Sequence, residues 1–252
     1  MLQRSKMNCK ERLDNLLGAE YQIWQAEDVL CYTMDSVLVA NFLNLKKQAR
    51  VLELGAGTGA ISLLVALRGA QQVIGVDINP RLVCLLQRSI KHNNLQAQVQ
   101  ALQLDLKDHK QLQKLGVFDV VVANPPYRRA QTGKVRTEAA ASSACHELTA
   151  DLEDFIVAAS KVLKTRGRLA IVNLAERLTD TLYFLKKYQL EPKRLQFVHS
   201  YASGPAKIFL LEAVFQANSG GLEILPPLVV YQDNGQYTTA LQAYYALQRP
   251  EN

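Results

Sequence analysis

Residues 50–59, Arg-Val-Leu-Glu-Leu-Gly-Ala-Gly-Thr-Gly, restrict this chain to few folds. A short apolar run, Arg50–Leu54, leads directly into glycines at 55, 57 and 59. The segment that follows, AISLLVALR, has the composition of a buried helix and stops at Gly69. A strand that turns at once into a helix through glycine leaves main chain bare at the turn, so a ligand can lie against it. The segment predicts a βα unit with a binding site at its open end.

The rhythm then repeats. Gln72–Val76 reads as a second strand, and Pro80 opens a second helix, through about Asn93, from its first turn. Val99–Leu104 is a third strand. Phe118–Ala123 is a fourth, as uniformly apolar as a strand covered on both faces should be. Leu152–Leu163 predicts a helix, Gly167–Val172 a fifth strand and Leu178–Tyr188 a further helix. Leu195–His199 and Ile208–Gln216 close the series, joined through Ser203-Gly204-Pro205. Repeated βα units imply an α/β fold: a Rossmann-like, doubly wound, seven-stranded and mainly parallel sheet with a C-terminal antiparallel hairpin. A chain of 252 residues fits one such domain, with an N-terminal cap and covering segment (1–45), a core (46–217) and a tail (218–252). The first fifteen residues are expected to be frayed, and Tyr21–Gln25 to be extended or in a turn. Asp35 is expected to cap a helix over the apolar run SVLVANFLNL.

Strand four ends in Asn124-Pro-Pro-Tyr127, at the same end of the sheet as the glycine turn. Two prolines fix the backbone and leave carbonyls with no competing amide donors. An exocyclic amine on a purine is a poor nucleophile, because its lone pair is delocalised into the ring. The Asn124 side-chain oxygen and the Pro125 carbonyl can accept its two hydrogens out of the ring plane, which favours the tetrahedral nitrogen of attack. Tyr127 offers a flat face to an unstacked base. Asp77 ends the second strand, 22 residues beyond Gly55, near the roughly 20-residue interval at which an acid meets ribose hydroxyls. Asp105 ends the third.

The glycine spacing differs from the dinucleotide fingerprint, and Glu53 just before it would repel a pyrophosphate while suiting the ammonium of an aminoacyl tail. The pattern resembles the class I methyltransferases. That resemblance implies S-adenosylmethionine as cofactor: Glu53 and the Gly55, Gly57 and Gly59 loop on its methionine part, Asp77 on the ribose, and Asp105 on the adenine amine. Tyr32, Ile78, Leu106 and Asn124 complete the implied cofactor set. The NPPY corner looks like that of amino-methyltransferases acting on adenine, guanine or the glutamine amide, and does not separate those substrates.

Arg128, Arg129, Lys134 and Arg136 follow within ten residues, and phosphate contact is the role expected of them. The chain carries a net charge of +6 and a sequence pI near 9.1, which favours a polyanionic partner. A further cluster, Lys161, Lys164, Arg166 and Arg168, reads as helix C-terminal charge on the surface. Asp28–Leu43, Leu195–Ser200, Pro226–Tyr231 and Gly235–Thr238 are similar to the bacterial tRNA(valine) adenine-N6 methyltransferase family, whose target adenine lies beside the anticodon. The match departs at Leu104, where the family often has a small or polar residue. RNA, in an unpaired or flipped-out segment, is therefore the expected partner.

Competing readings are a protein glutamine methyltransferase, an rRNA guanine methyltransferase, a nicotinamide-dependent oxidoreductase and a non-catalytic RNA-binding module. Against the first, under fifty residues precede strand one. The oxidoreductase gives NPPY no role, and intact Glu53, Asp77 and Asn124 argue against a decayed module. Cysteines at 9, 31, 84 and 145 and histidines at 92, 109, 146 and 199 lack any metal-ligand spacing, so no metal is expected. The polar opening and the lack of a long apolar run lead us to expect a cytoplasmic protein without a membrane span.

Overall fold

A computed structural model of the chain describes residues 10–17, 20–29, 31–127 and 150–245. Its centre is a nine-stranded sheet. In chain order the elements are β1 (Glu11–Leu17), β2 (Tyr21–Ala26), α1 (Met34–Phe42), β3 (Arg50–Leu54), α2 (Ala60–Leu67), β4 (Gln72–Asp77) and α3 (Pro80–His92). There follow β5 (Val99–Gln103), α4 (His109–Lys114), β6 (Phe118–Ala123), α5 (Leu152–Val162), β7 (Leu163–Leu174) and α6 (Leu178–Lys187). The last are β8 (Leu190–His199), β9 (Ala206–Phe215), β10 (Glu223–Ile224), β11 (Leu228–Val229) and α7 (Thr239–Tyr245).

Across the sheet the order is β10-β8-β9-β7-β6-β3-β4-β5, with β11 also pairing β8. From β3 to β7 all pairs are parallel, whereas β9 is antiparallel to both its neighbours. The seven expected strands and the closing hairpin are therefore present, and the two-residue β10 and β11 extend the β8 edge. Chain order reverses between β3 and β6, the kind of switch point at which open α/β sheets leave a crevice.

Helices cover both faces. Successive residues point to opposite sides of a strand, so Val51 and Glu53 face α2 while Leu52 and Leu54 face α5. One apolar core joins Leu38, Leu64 and Leu86 to Val51, Val73 and Val122; the other joins Leu112, Ile156 and Leu185 to Leu52, Ile74 and Val121. α3 begins where Asn79 accepts the Arg81 amide at 2.9 Å ahead of Pro80 at the first turn. α5 begins with a reciprocal capping box between Asp151 and Asp154.

Three expectations are corrected. Residues 11–15 are not frayed: β1 pairs antiparallel with β2 in a separate hairpin that docks on α3. Ser89 Oγ accepts the Trp24 amide at 2.9 Å, the Arg88 guanidinium lies 3.9 Å from the Trp24 ring centroid, and Glu11 pairs with both Arg81 and Arg88. These polar contacts join the buried Leu16 and Ile23 in holding the hairpin, and its strands carry too few apolar residues for an alternation to read. Asp35 does not cap α1. Thr33 occupies the cap, and Asp35 lies in the first turn with its carboxylate engaged elsewhere. Lys164, Arg166 and Arg168 are not helix-end charges, because β7 starts at Leu163 directly after α5. Arg168 pairs with the buried Glu212 on β9, and Lys164 with Asp119. A buried carboxylate needs such a partner, and the partner comes from the neighbouring strand.

Among the described residues no helix is long and apolar enough to cross a membrane. Nor do the described histidines, cysteines, aspartates and glutamates cluster in threes as a metal site would need.

Candidate active site

Leu54 pairs with Ala123 across β3 and β6, so the chain leaves the two strands side by side. One departure is the glycine turn and the other is Asn124-Pro-Pro-Tyr127. Both open into a single cavity of about 440 Å³ at the carboxyl edge of the sheet. Its volume falls within the roughly 300–1,000 Å³ typical of small-molecule sites.

The floor is the turn itself. Gly57 has φ +56°, and a β-carbon there would meet no atom within 4 Å, so it would project into open space. Gly59 does not line the cavity. Its φ is +93°, and a β-carbon would fall 2.0 Å from Leu86 Cδ1, so this glycine lets α2 start tight against α3. Gly55 lies under the Phe155 ring of α5, which forms part of the cavity wall.

Four carboxyl groups line the cavity: Asp35, Glu53, Asp77 and Asp105. Glu53 is 2% exposed, and one of its oxygens accepts from both the backbone amide (2.7 Å) and the hydroxyl of Ser62 on α2. Burial pushes its carboxyl up to about 8, against the opposing pull of the Ser62 hydrogen bonds. Asp77 accepts the Gly57 amide at 2.8 Å with one oxygen and the Asn79 amide at 2.9 Å with the other. It thereby fixes the glycine turn to the end of β4. Burial raises its pKa too, against those backbone bonds. Asp105 lies beyond β5 and accepts the Lys107 amide at 2.9 Å. Each Asp77 oxygen keeps a lone pair for a further donor. The exposed Ile78, and Leu104 and Leu106, are apolar walls between the two aspartates.

On the other side stand Asn124, Pro125 and Tyr127. Among the described residues the Asn124 amide has no hydrogen-bond partner, so its oxygen is available to the cavity. The Tyr127 hydroxyl donates to Asp35. Burial, and then the Asp35 charge, drive the Tyr127 pKa far upward, and the phenol stays protonated. Tyr32 closes the roof. Its hydroxyl donates to the Asn15 carbonyl and its amide to Gln25 Oε1, both at 2.9 Å, so the β1–β2 hairpin holds it in place.

The structure thus brings together Tyr32, Glu53, Gly55, Gly57, Asp77, Ile78, Asp105, Leu106, Asn124, Pro125 and Tyr127 in one cavity wall. Arg128, Arg129, Lys134 and Arg136 lie outside the described residues. Phe155 and Ser62 were not legible as site residues. Phe155 carries only the apolar signature of a helix face, and a serine inside AISLLVALR has no signal of its own. The sequence marked Asp35 as a helix cap, but not its bond to Tyr127.

Comparison with known proteins places this site in context. Residues 21–188 match the family model described as the methyltransferase small domain. A tRNA1(Val) (adenine(37)-N6)-methyltransferase of Parabacteroides distasonis is 24% identical over 193 residues, 77% of this chain and 80% of that protein. A putative protein N5-glutamine methyltransferase of Methanocaldococcus jannaschii is 41% identical, but over 93 residues, 37% of this chain and 44% of the relative. Among solved structures, a predicted O-methyltransferase from Agrobacterium tumefaciens superposes with a TM-score of 0.69 at 19% identity, covering 86% of this chain and 98% of that one. The Thermus thermophilus 16S rRNA N2 G1207 methyltransferase, solved with AdoMet and guanosine, gives 0.57 at 24% identity over 82% of this chain and 50% of its own.

Proposed function

The chain belongs to the methyltransferase small-domain family, and on that premise we propose that it moves a methyl group from S-adenosylmethionine to the N6 amine of an adenine in RNA, beside the anticodon of a valine tRNA. The observation that carries this reading is the shared cavity: the glycine turn and the asparagine–diproline–tyrosine corner face each other across it.

The residues present fit the cofactor. Gly57 leaves open space where a side chain would stand, and Glu53, Asp77 and Asp105 line the same cavity as acceptors that suit an ammonium, a ribose diol and an adenine amine. Glu53 would take the ammonium, with the Gly55 and Gly57 main chain beneath it. Asp77 would accept from the ribose, Asp105 from the adenine amine, and Ile78 and Leu106 would flank the ring, under Tyr32. When bound, S-adenosylmethionine supplies a sulfonium methyl whose sulfur leaves as a neutral thioether with the C–S electrons.

The chain's own work is on the amine. Asn124 Oδ1 and the Pro125 carbonyl accept its two hydrogens and hold the nitrogen lone pair out of conjugation. Tyr127, fixed by Asp35, gives the base a face to stack on. The rigid diproline corner keeps nucleophile and methyl in line, and the surplus proton passes to water once the new C–N bond has formed. Arg128, Arg129, Lys134 and Arg136 would contact phosphates.

The relatives named as tRNA1(Val) adenine methyltransferases support RNA as substrate, whereas the archaeal relative's name favours a protein amide. Labelled S-adenosylmethionine with total tRNA and, separately, total protein decides between them. We expect label in N6-methyladenosine. Label in N2-methylguanosine or in protein glutamine would replace this reading.

A further inference from the structure

Four tyrosine rings form a continuous row at the carboxyl edge of the sheet. Tyr201 lies 5.5 Å from Tyr231, Tyr231 stacks on Tyr237 at 5.4 Å, and Tyr237 stacks on Tyr245 at 6.4 Å with only 11° between their planes. Tyr201, Tyr237 and Tyr245 are each about two-fifths exposed (43%, 42% and 38%). Singly exposed aromatic side chains are ordinary, whereas a contiguous exposed patch of them marks an interaction surface.

The row is held rigid by its backbone. Tyr231 bridges Tyr237, the Tyr231 amide donates to the Ser200 carbonyl at 2.9 Å, and the His199 ring bonds the Gly204 carbonyl at 2.8 Å within the turn that carries Tyr201. None of the four lines the cavity, but the α7 end of the row is fixed to the helix that borders it. The Asn41 amide of α1 donates to the Tyr244 carbonyl at 2.7 Å, which pins α7 to the helix whose first turn bears Asp35. The Tyr245 phenol is pushed up to about 12, by burial first and then by its neighbours Tyr237, Tyr32, Asp35 and Tyr231. At the far end stands Lys207, an exposed cation next to the Tyr201 turn.

We propose that this row is a stacking platform for unpaired bases of the RNA strand that flanks the target adenine. The inference rests on the reading of the chain as an RNA methyltransferase and adds a subsite to it. A row of π faces accepts any base, and so it can hold a strand open beside the cavity without reading its sequence. The +6 net charge favours the same polyanion.

The test is steady-state methylation of tRNA by the full chain carrying Tyr201→Leu or Tyr237→Leu, beside the matching Phe variants. Leucine keeps apolar bulk and removes the ring, and phenylalanine keeps the ring. Each Leu variant is expected to raise KM for tRNA about tenfold, and each Phe variant to stay within about twofold of the parent. Calorimetric affinity for S-adenosylmethionine should not change. Crosslinking of 5-bromouridine-substituted tRNA should map to peptides containing Tyr201 or Tyr237. Unchanged KM in the Leu variants, or equal loss in Leu and Phe, overturns the platform while N6-methyladenosine formation leaves the parent reading standing. A parent protein that methylates glutamine and not RNA overturns both.

Discussion

The phenol of Tyr127 donates a hydrogen bond to the carboxylate of Asp35, 92 residues earlier in the chain. It ties the corner after β6 to the first turn of α1, and so fixes the ring that faces the cavity. A hydrogen bond to a charged acceptor contributes more than a neutral one, and a ring left free to turn loses its orientation. Asp35→Ala and Tyr127→Phe should each lower kcat about tenfold or more, with little change in cofactor affinity. The double variant should lose little beyond the worse single, with a coupling of about 1–2 kcal/mol. Additive losses in that cycle would show that the bond does not act through the ring.

Asn124 is expected to behave differently from the acids opposite it. In the proposed reaction its amide oxygen accepts from the reacting amine, so Asn124→Ala should keep cofactor affinity and lose about 100-fold or more in kcat, as the removal of one transition-state acceptor does elsewhere. Calorimetry with S-adenosylmethionine and single-turnover methylation check the two halves. Near-normal turnover would remove Asn124 from the chemistry.

If Asp77 takes the ribose as proposed, Asp77→Ala should weaken S-adenosylmethionine by about tenfold or more. It should also lower Tm, since the Gly57 and Asn79 amides lose their partner. NAD should bind neither form. Unchanged cofactor affinity would count against the ribose assignment.

Glu53 links stability to pH. Its folded carboxyl sits at about 8, well above the ordinary 4.5, so the native state holds a proton that the unfolded chain has released between those values. Stability from this group is therefore full below about pH 4.5 and falls as pH rises through 8. Glu53→Gln removes that dependence. The Tm difference between the variant and its parent should move in the variant's favour by several degrees from pH 5 to pH 9. A difference that stays constant would mean the carboxyl is not protonated in the fold.

Gly57 and Gly59 make a matched pair. Gly59→Ala combines positive φ with a clash against Leu86, and should destabilise by about 2 kcal/mol or more. Gly57→Ala meets no atom and should cost about 1 kcal/mol in backbone strain, yet block the cofactor. Thermal melts with and without S-adenosylmethionine separate the effects, and a cofactor-induced Tm shift that survives in Gly57→Ala would contradict the assignment.

The strands β3 to β6 and the acids at their ends were readable from the chain because the signals are local. Val51–Leu54 and Phe118–Ala123 are apolar enough to be covered on both faces, and glycine or proline marks where each unit ends. β1 was not readable: its residues alternate poorly, and what orders them is pairing with β2 and the contacts of Glu11 with Arg81 and Arg88 on α3. β7 was read short because Lys164 and Arg166 look like helix-end charges, while only the neighbouring strands show that the chain is already extended there.

By itself the sequence determined that a parallel sheet would carry a glycine turn, two acids and an asparagine–diproline–tyrosine corner at one edge. Periodicity and chain stiffness act over a few residues, and those suffice. Only the tertiary structure decided that Asp35 holds Tyr127, that Ser62 holds Glu53, that Phe155 walls the cavity and that four tyrosines line up beside it. Each of these depends on the strand order that brings distant segments together, and no spacing along the chain encodes that proximity.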